Sequence, residues 1–209
     1  MKIAVISETS AGDKNPHIVA ALTAVGAHEI INAGMTQKGG SPELTYIHAG
    51  LISAILLNLG RVDFVVGGCG TGQGFLNTVL QYPNVFCGHI VTPLDAWLFA
   101  QINGGNCVSL ALNQGYGWAG DVNLRFIFER LFSVESGCGY PPERRESQQA
   151  SRKVLAEISR VTHRSLAEII AALPEEVVRP ALDFPGVKAL IDVDTIADHD
   201  LKQALQKRF

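Results

Sequence analysis

No stretch of this sequence approaches the ~20 consecutive apolar residues that a membrane span requires. The opening MKIAVIS gives way at once to the polar ETSAGDKN, too short a run for the apolar region of a secretory signal. Cysteine is sparse: Cys69, Cys87, Cys107 and Cys138 lie far apart without CxxC spacing, which excludes a zinc ribbon and a dense disulfide framework. These absences predict a cytoplasmic protein with reduced thiols. An excess of one charge is lacking too, and a net charge of −3 gives no electrostatic reason to expect nucleic acid. The 6 histidines are scattered, and no metal cluster can be assembled from their spacing. His89 falls inside a predicted strand and His48 on a predicted helix, where a lone histidine is ordinary surface or core.

What is present is a globular balance, 47% hydrophobic and 18% charged over 209 residues, enough for one α/β domain with an appendage. Residues 2–7 (KIAVIS) read as a strand, followed by a polar loop and a helix over NPHIVAALTAVG, with Asn15 as cap and Pro16 in the first turn. The unit recurs in HEIINAG with LTYIHAGLISAILLNLG, DFVVGGC with FLNTVLQ, VFCGHIV with PLDAWLFAQI, and CVSLAL with DVNLRFIFERLF. Strands apolar at nearly every residue, alternating with helices, predict a parallel sheet of five strands covered on both faces, a three-layer α/β/α Rossmann-like sandwich. Ligands of such sheets gather at the strands' carboxyl ends. After GCGYPPERRESQ the pattern breaks, and SRKVLAEISRV, SLAEIIAAL and DHDLKQALQKRF predict a helical extension. The boundary is drawn between a domain at 1–146 and an extension at 147–209, whose apolar stripes are expected to pack across a dimer or over the site.

The segment VDFVVGGCGTGQG, residues 62–74, ends a strand in a cysteine among glycines and turns into a helix. Backbone N–H groups and a helix N-terminus converge there, an arrangement that cradles anions. The loop lacks the Gly-Lys-Ser/Thr of a Walker loop, does not match GxGxxG, and has FLNT where a thiol phosphatase needs its arginine. A thiol at this place feels the positive end of the following helix, which favours thiolate, so Cys69 suits a base. A small buried residue at a strand end suits the same pattern, and spacing leaves both readings open.

VDFVVGGCGTGQG followed by DAWLFAQINGGN resembles the family of ribose-5-phosphate isomerase B and galactose-6-phosphate isomerase, most strongly from Tyr46 to Asn106 and more weakly from Met1 to about Arg145. The resemblance implies a homodimer with active sites at the subunit interface, and aldose–ketose isomerisation of a sugar phosphate through a cis-enediolate without metal or other cofactor. It assigns Cys69 as the base, Thr71 as the hydroxyl moving protons between oxygens, and the amides from Gly70 through Gly72 to Gly74 as the oxyanion site. Tyr46 falls on a substrate-side tyrosine, Asn103 on the asparagine of a His-Asn pair offered by the neighbouring subunit, and Arg144 on a phosphate-gripping arginine.

The chain departs from the family pattern at three places. Glu8-Thr9 stands for Asp-His, keeping a carboxylate near the ring oxygen and leaving Thr9 as a substrate-side position without an imidazole. Ile102 replaces the ring-opening histidine, and Tyr140 replaces a second phosphate arginine. Lys14 and Arg145 are candidates for the missing positive charge. Three functions follow: a sugar-phosphate isomerase, an isomerase of an unphosphorylated or unusual sugar, and a sugar-phosphate-binding protein without catalysis. A thiol, a hydroxyl and a carboxylate kept together favour the enzyme, because binding alone needs no thiol there.

Overall fold

In the computed structural model, which describes residues 1–209, β1 (Lys2–Ser7), β2 (Glu29–Asn32), β3 (Phe64–Cys69), β4 (Cys87–Ile90) and β5 (Cys107–Ala111) form one parallel sheet in the order β2-β1-β3-β5-β4. The expected α/β/α sandwich is therefore present. Every residue of β3 is buried, as a central strand covered on both faces requires. Alternate side chains enter separate cores: Ala4, Ile6, Val65 and Cys69 face one side, Ile3, Val5, Phe64 and Val66 the other.

Helices α1 (Asn15–Val25), α4 (Pro93–Leu98) and α5 (Gly120–Leu131) pack on the second face, while α2 (Tyr46–Asn58) and α3 (Gln73–Val79) pack on the first. The chain thus leaves β1 and β3, which are neighbours, towards opposite faces. That makes their carboxyl ends a topological switch point, with Ser7 in register with Gly68. Asn15 does not cap α1 as expected but is its first residue, with its side chain turned fully inward. Its Nδ2 donates to Ser7 Oγ at 3.1 Å and Asn32 Oδ1 at 3.0 Å, and its Oδ1 accepts from Asn32 Nδ2 at 2.7 Å. The residue that looked like a cap is a buried cross-link between β1, β2 and α1.

The extension contains α6 (Arg145–Thr162), α7 (Leu166–Ala172), α8 (Glu175–Leu182), α9 (Val187–Ile191) and α10 (His199–Gln206). The boundary drawn at 146/147 falls in the first turn of α6. Two of these helices, α8 and α9, are not expected from the sequence: α8 carries Pro180 within it, and α9 is only five residues long. Within the chain, the last four helices do not lie over the strand ends. They cover the outer face of α2, with Leu166, Ile170, Val178, Leu182, Val187 and Leu205 joining one core with the sheet. This explains why α2 is buried at every residue from Ala49 to Leu56: it lies between the sheet and a further helical layer and cannot be amphipathic. His48 ties the two together, its Nδ1 accepting from Thr45 N–H at 3.1 Å and its Nε2 donating to the Glu176 carbonyl at 3.1 Å.

By contrast α6 stands apart, with Ser159 its one buried residue and Val154, Leu155, Ile158 and Val161 all at least 49% exposed. No helix is long and apolar enough to cross a membrane. Because the outer layer shares its core with the sheet, Leu182→Ala should lower the unfolding free energy by about 2–5 kcal/mol in a denaturant titration. A chain ended at residue 163 should bind a hydrophobic dye strongly and lose its single cooperative transition.

Candidate active site

The switch point brings together the loops after β1, β3 and β5. Cys69 ends β3 on the α3 face, 6% exposed, and the chain turns beneath it through Gly70-Thr71-Gly72, closed by Gly72 N–H onto the Cys69 carbonyl at 3.3 Å. Gly72 has φ of 76°, the left-handed region in which a side chain is strained. The β5 loop holds the turn from one side, Leu112 N–H bonding the Cys69 carbonyl at 3.0 Å and the Asn113 and Gln114 amides both bonding the Gly70 carbonyl at 2.9 Å. The β1 loop holds it from the other, where Gly70 N–H donates to Ser10 Oγ at 3.0 Å and the Ser10 hydroxyl donates to Glu8 Oε1.

Glu8 is 2% exposed, and Oε1 also accepts from Ser10 N–H at 3.2 Å, while Oε2 has no protein donor and is not sealed from solvent. A buried carboxylate, a hydroxyl and the amide after Cys69 therefore form one chain of hydrogen bonds. Thr9 is anchored through its backbone, its N–H donating to the Leu44 carbonyl at 2.8 Å and its carbonyl accepting from Gly39 N–H at 3.3 Å. Tyr46 lays its ring against Gly74, where a Cβ would come within 3.1 Å of it.

Of the amides expected to hold an oxyanion, two already have partners within the protein. Gly70 and Gly72 line the cradle, but their amides are committed to Ser10 and to Cys69. The amides that donate to no protein acceptor are those of Thr71, Gly74 and Phe75, as the first turn of a helix leaves them. The exposed Thr71 accepts at Oγ1 from Gln73 N–H at 3.3 Å. Sequence reasoning passed over Ser10, Asn113 and His89. The last of these stands below the cradle with Nε2 3.0 Å from the Thr71 carbonyl, and only the register of β4 against β5 reveals it.

Asn103 and Arg144 are not brought to Cys69. Asn103 ends a π-helical turn, Phe99–Asn103, that precedes β5, and with Arg144 it lines a groove of about 840 Å³ beside α6, whose wall includes Ile102, Phe86 and Cys87. Cys87 pairs with Cys107, which pairs with Val65, four residues before Cys69. At ~3.3 Å per residue the groove is therefore displaced by about 13 Å along the strands. Arg144 makes no ion pair. Tyr140 presents its ring edge-on to Trp97 at 4.8 Å, where the family resemblance places an arginine.

Lys14 does not stand free as a substitute: it is paired with Asp13, whose carboxyl it holds below the usual range, and it lies 5.2 Å above the Tyr116 ring. Burial, with Asp121 and Asp13 nearby, pushes the Tyr116 hydroxyl up to about 12. That hydroxyl bonds His17 Nδ1 at 2.7 Å. No three His, Cys, Asp or Glu side chains converge as a metal site would require.

The Ribose/Galactose Isomerase family matches residues 3–127. Among solved structures, the chain is similar to a 4-deoxy-L-threo-5-hexosulose-uronate ketol-isomerase complexed with a tartrate, at 37% identity over 100% of this chain and 99% of that one, with a TM-score of 0.93. It is similar to a ribose-5-phosphate isomerase from Vibrio parahaemolyticus at 39% identity, 100% and 97% coverage and a TM-score of 0.89. The type B ribose 5-phosphate isomerase of Leishmania infantum shares the fold at 15% identity over 77% of this chain and 97% of that one, with a TM-score of 0.65. No curated protein matches the chain. Both relatives above 30% identity align along the whole chain, so the helical layer over α2 is common to them.

A methyl group at Gly72 would meet His89 Nε2 at 2.5 Å and occupy a left-handed φ. Gly72→Ala should therefore cost about 1–2 kcal/mol from the backbone alone, read by denaturant unfolding, with a further loss from the contact.

Proposed function

Because the chain belongs to the ribose/galactose isomerase family, we propose that it interconverts an aldose and a ketose through a cis-enediolate with Cys69 as the base. The observation that carries this reading is the position of the thiol, at the switch point and beside the Thr71, Gly74 and Phe75 amides that donate to no protein acceptor. The thiolate takes the proton α to the carbonyl, and the electron pair of that C–H bond forms the enediolate C=C. The free amides stabilise the oxygen on which negative charge develops. The Thr71 hydroxyl passes a proton between the two oxygens, and Cys69 returns the carbon-bound proton to the neighbouring carbon on the same face. Glu8 acts at the edge of the crevice through Oε2.

The substrate favoured is a sugar acid that reaches the site as an open chain. Ile102 stands where the ring-opening histidine is expected, Thr9 stands where a further imidazole is expected, and Tyr140 stands for one arginine of a phosphate grip. A carboxylate carries less charge than a phosphate and suits one arginine, Arg144. The uronate named for the 37% identical relative fits this chemistry. A sugar phosphate is the second reading, supported by the 39% identical relative named a ribose-5-phosphate isomerase. Asn103 and Arg144 line a groove whose wall at Cys87 lies about 13 Å from Cys69 along the strands, so the proposal includes a homodimer in which each chain offers them to its partner's crevice.

A panel of open-chain uronates, pentose phosphates and hexose phosphates in deuterated water should show C2 proton exchange and turnover, with the highest kcat/KM for a uronate. Cys69→Ala should lose roughly 10²–10⁴-fold in kcat with its fold intact, and exchange persisting in that variant would remove the thiol from the mechanism. Cys69→Ala and Arg144→Ala, each impaired alone, should recover part of the activity when mixed and allowed to exchange subunits. No recovery would place the site within one chain.

A further inference from the structure

Strand β5 and its neighbour at the sheet edge, β4, each raise a polar side chain beneath the cradle. Neither residue is among those assigned by the family resemblance. His89 and Ser109 are register partners on the α3 face of the sheet. Ser109 is fully buried, and its hydroxyl donates to the Gly72 carbonyl at 2.6 Å. His89 Nε2 lies 3.0 Å from the Thr71 carbonyl. A carbonyl only accepts, so Nε2 carries the proton. Nδ1 then accepts from the Gln73 side-chain amide, which lies 3.4 Å away.

Two successive carbonyls are thus gripped from below. A peptide group is planar, with its N–H opposed to its C=O, so holding the Thr71 carbonyl aims the Gly72 N–H and holding the Gly72 carbonyl aims the Gln73 N–H. Those amides close the turn onto Cys69 and bond Thr71 Oγ1, both at 3.3 Å. The Thr71 hydroxyl, accepting from the backbone, keeps its own proton for a ligand. Packing does not ask for these side chains, since apolar residues at the same strand positions would bring no polar group that needs a partner.

We propose that His89 and Ser109 are positioning residues for the isomerisation, setting the Cys69–Gly72 turn and the Thr71 hydroxyl in the geometry that proton transfer needs. The inference rests on the isomerase reading. The test compares Ser109→Ala, His89→Ala and His89→Gln, using whichever sugar of the panel the wild-type protein turns over. The alanine variants should each lose about 10- to 100-fold in kcat while KM stays near the wild-type value. The double variant should lose less than the product of the two. His89→Gln, whose amide still donates to Thr71, should recover part of the loss.

A second readout does not depend on turnover. Amide hydrogen exchange at Gly72 and Gln73 should speed up about tenfold or more in both alanine variants, with the β3 amides unchanged. If no sugar of the panel is isomerised the functional reading fails, yet exchange still decides whether the pair grips the loop. Ser109→Ala is nearly isosteric and preserves the fold if His89→Ala does not. Unaltered exchange at both amides in folded Ser109→Ala protein, or kcat untouched in that variant, overturns the proposal.

Discussion

The cradle depends on one constraint: β3 is buried on both faces, so the chain can change direction only where that strand ends, and it must do so with its polar groups answered. Gly70 and Gly72 make the turn possible by allowing close approach and a left-handed φ, but they bring no side-chain interactions of their own. Rigidity comes from neighbours. Ser10 takes the Gly70 amide, Asn113 and Gln114 take its carbonyl, and His89 and Ser109 take the next two carbonyls. Cys69 is therefore held from several strands at once, and the amides left without a protein acceptor are those of Thr71, Gly74 and Phe75.

The same logic reaches outward through α2. Tyr46, its first residue, rests on Gly74, so the position of α2 fixes one wall of the crevice. That helix is apolar all round and would be insoluble as the outer layer of a simple sandwich. Helices α7 to α10 cover it, and the His48 bond to the Glu176 carbonyl pins their layer at the end nearest the site. Within the chain, these helices support the crevice from behind.

Much of the fold was legible, because apolar strands with helices between them leave few alternatives to a parallel sheet. The cradle was legible too, since Cys69 and the glycines are contiguous. What pattern did not show are groups that meet only through register. Asn15 looked like a cap and is a buried cross-link, because its partners Ser7 and Asn32 lie on two other elements. His89 looked like an ordinary strand histidine until β4 was paired with β5. The amides of Gly70 and Gly72 looked available, and only the loop after β1, which takes the first, and the closure of the turn onto Cys69, which takes the second, show that they are not. Short helices such as α9, five residues long, carry no readable period.

The separation of the two halves of the site bears on how such a protein comes to act on a different sugar. Everything to which the proposed mechanism gives a proton-moving role, namely Cys69, Thr71 and the Glu8–Ser10–Gly70 chain, is assembled by a single polypeptide at one switch point. In the proposed dimer, the groups that grip the far end of the substrate come from a groove on the other subunit, built on a π-helical turn and on α6. No residue lining that groove makes a hydrogen bond to the turn, so Ile102 or Tyr140 can replace a histidine or an arginine without disturbing the turn that carries the thiol. The proton-transfer geometry can then stay fixed while the anion it serves changes from a phosphate to a carboxylate. In that proposal Arg144, which lines the groove and makes no ion pair, is the charge that meets it.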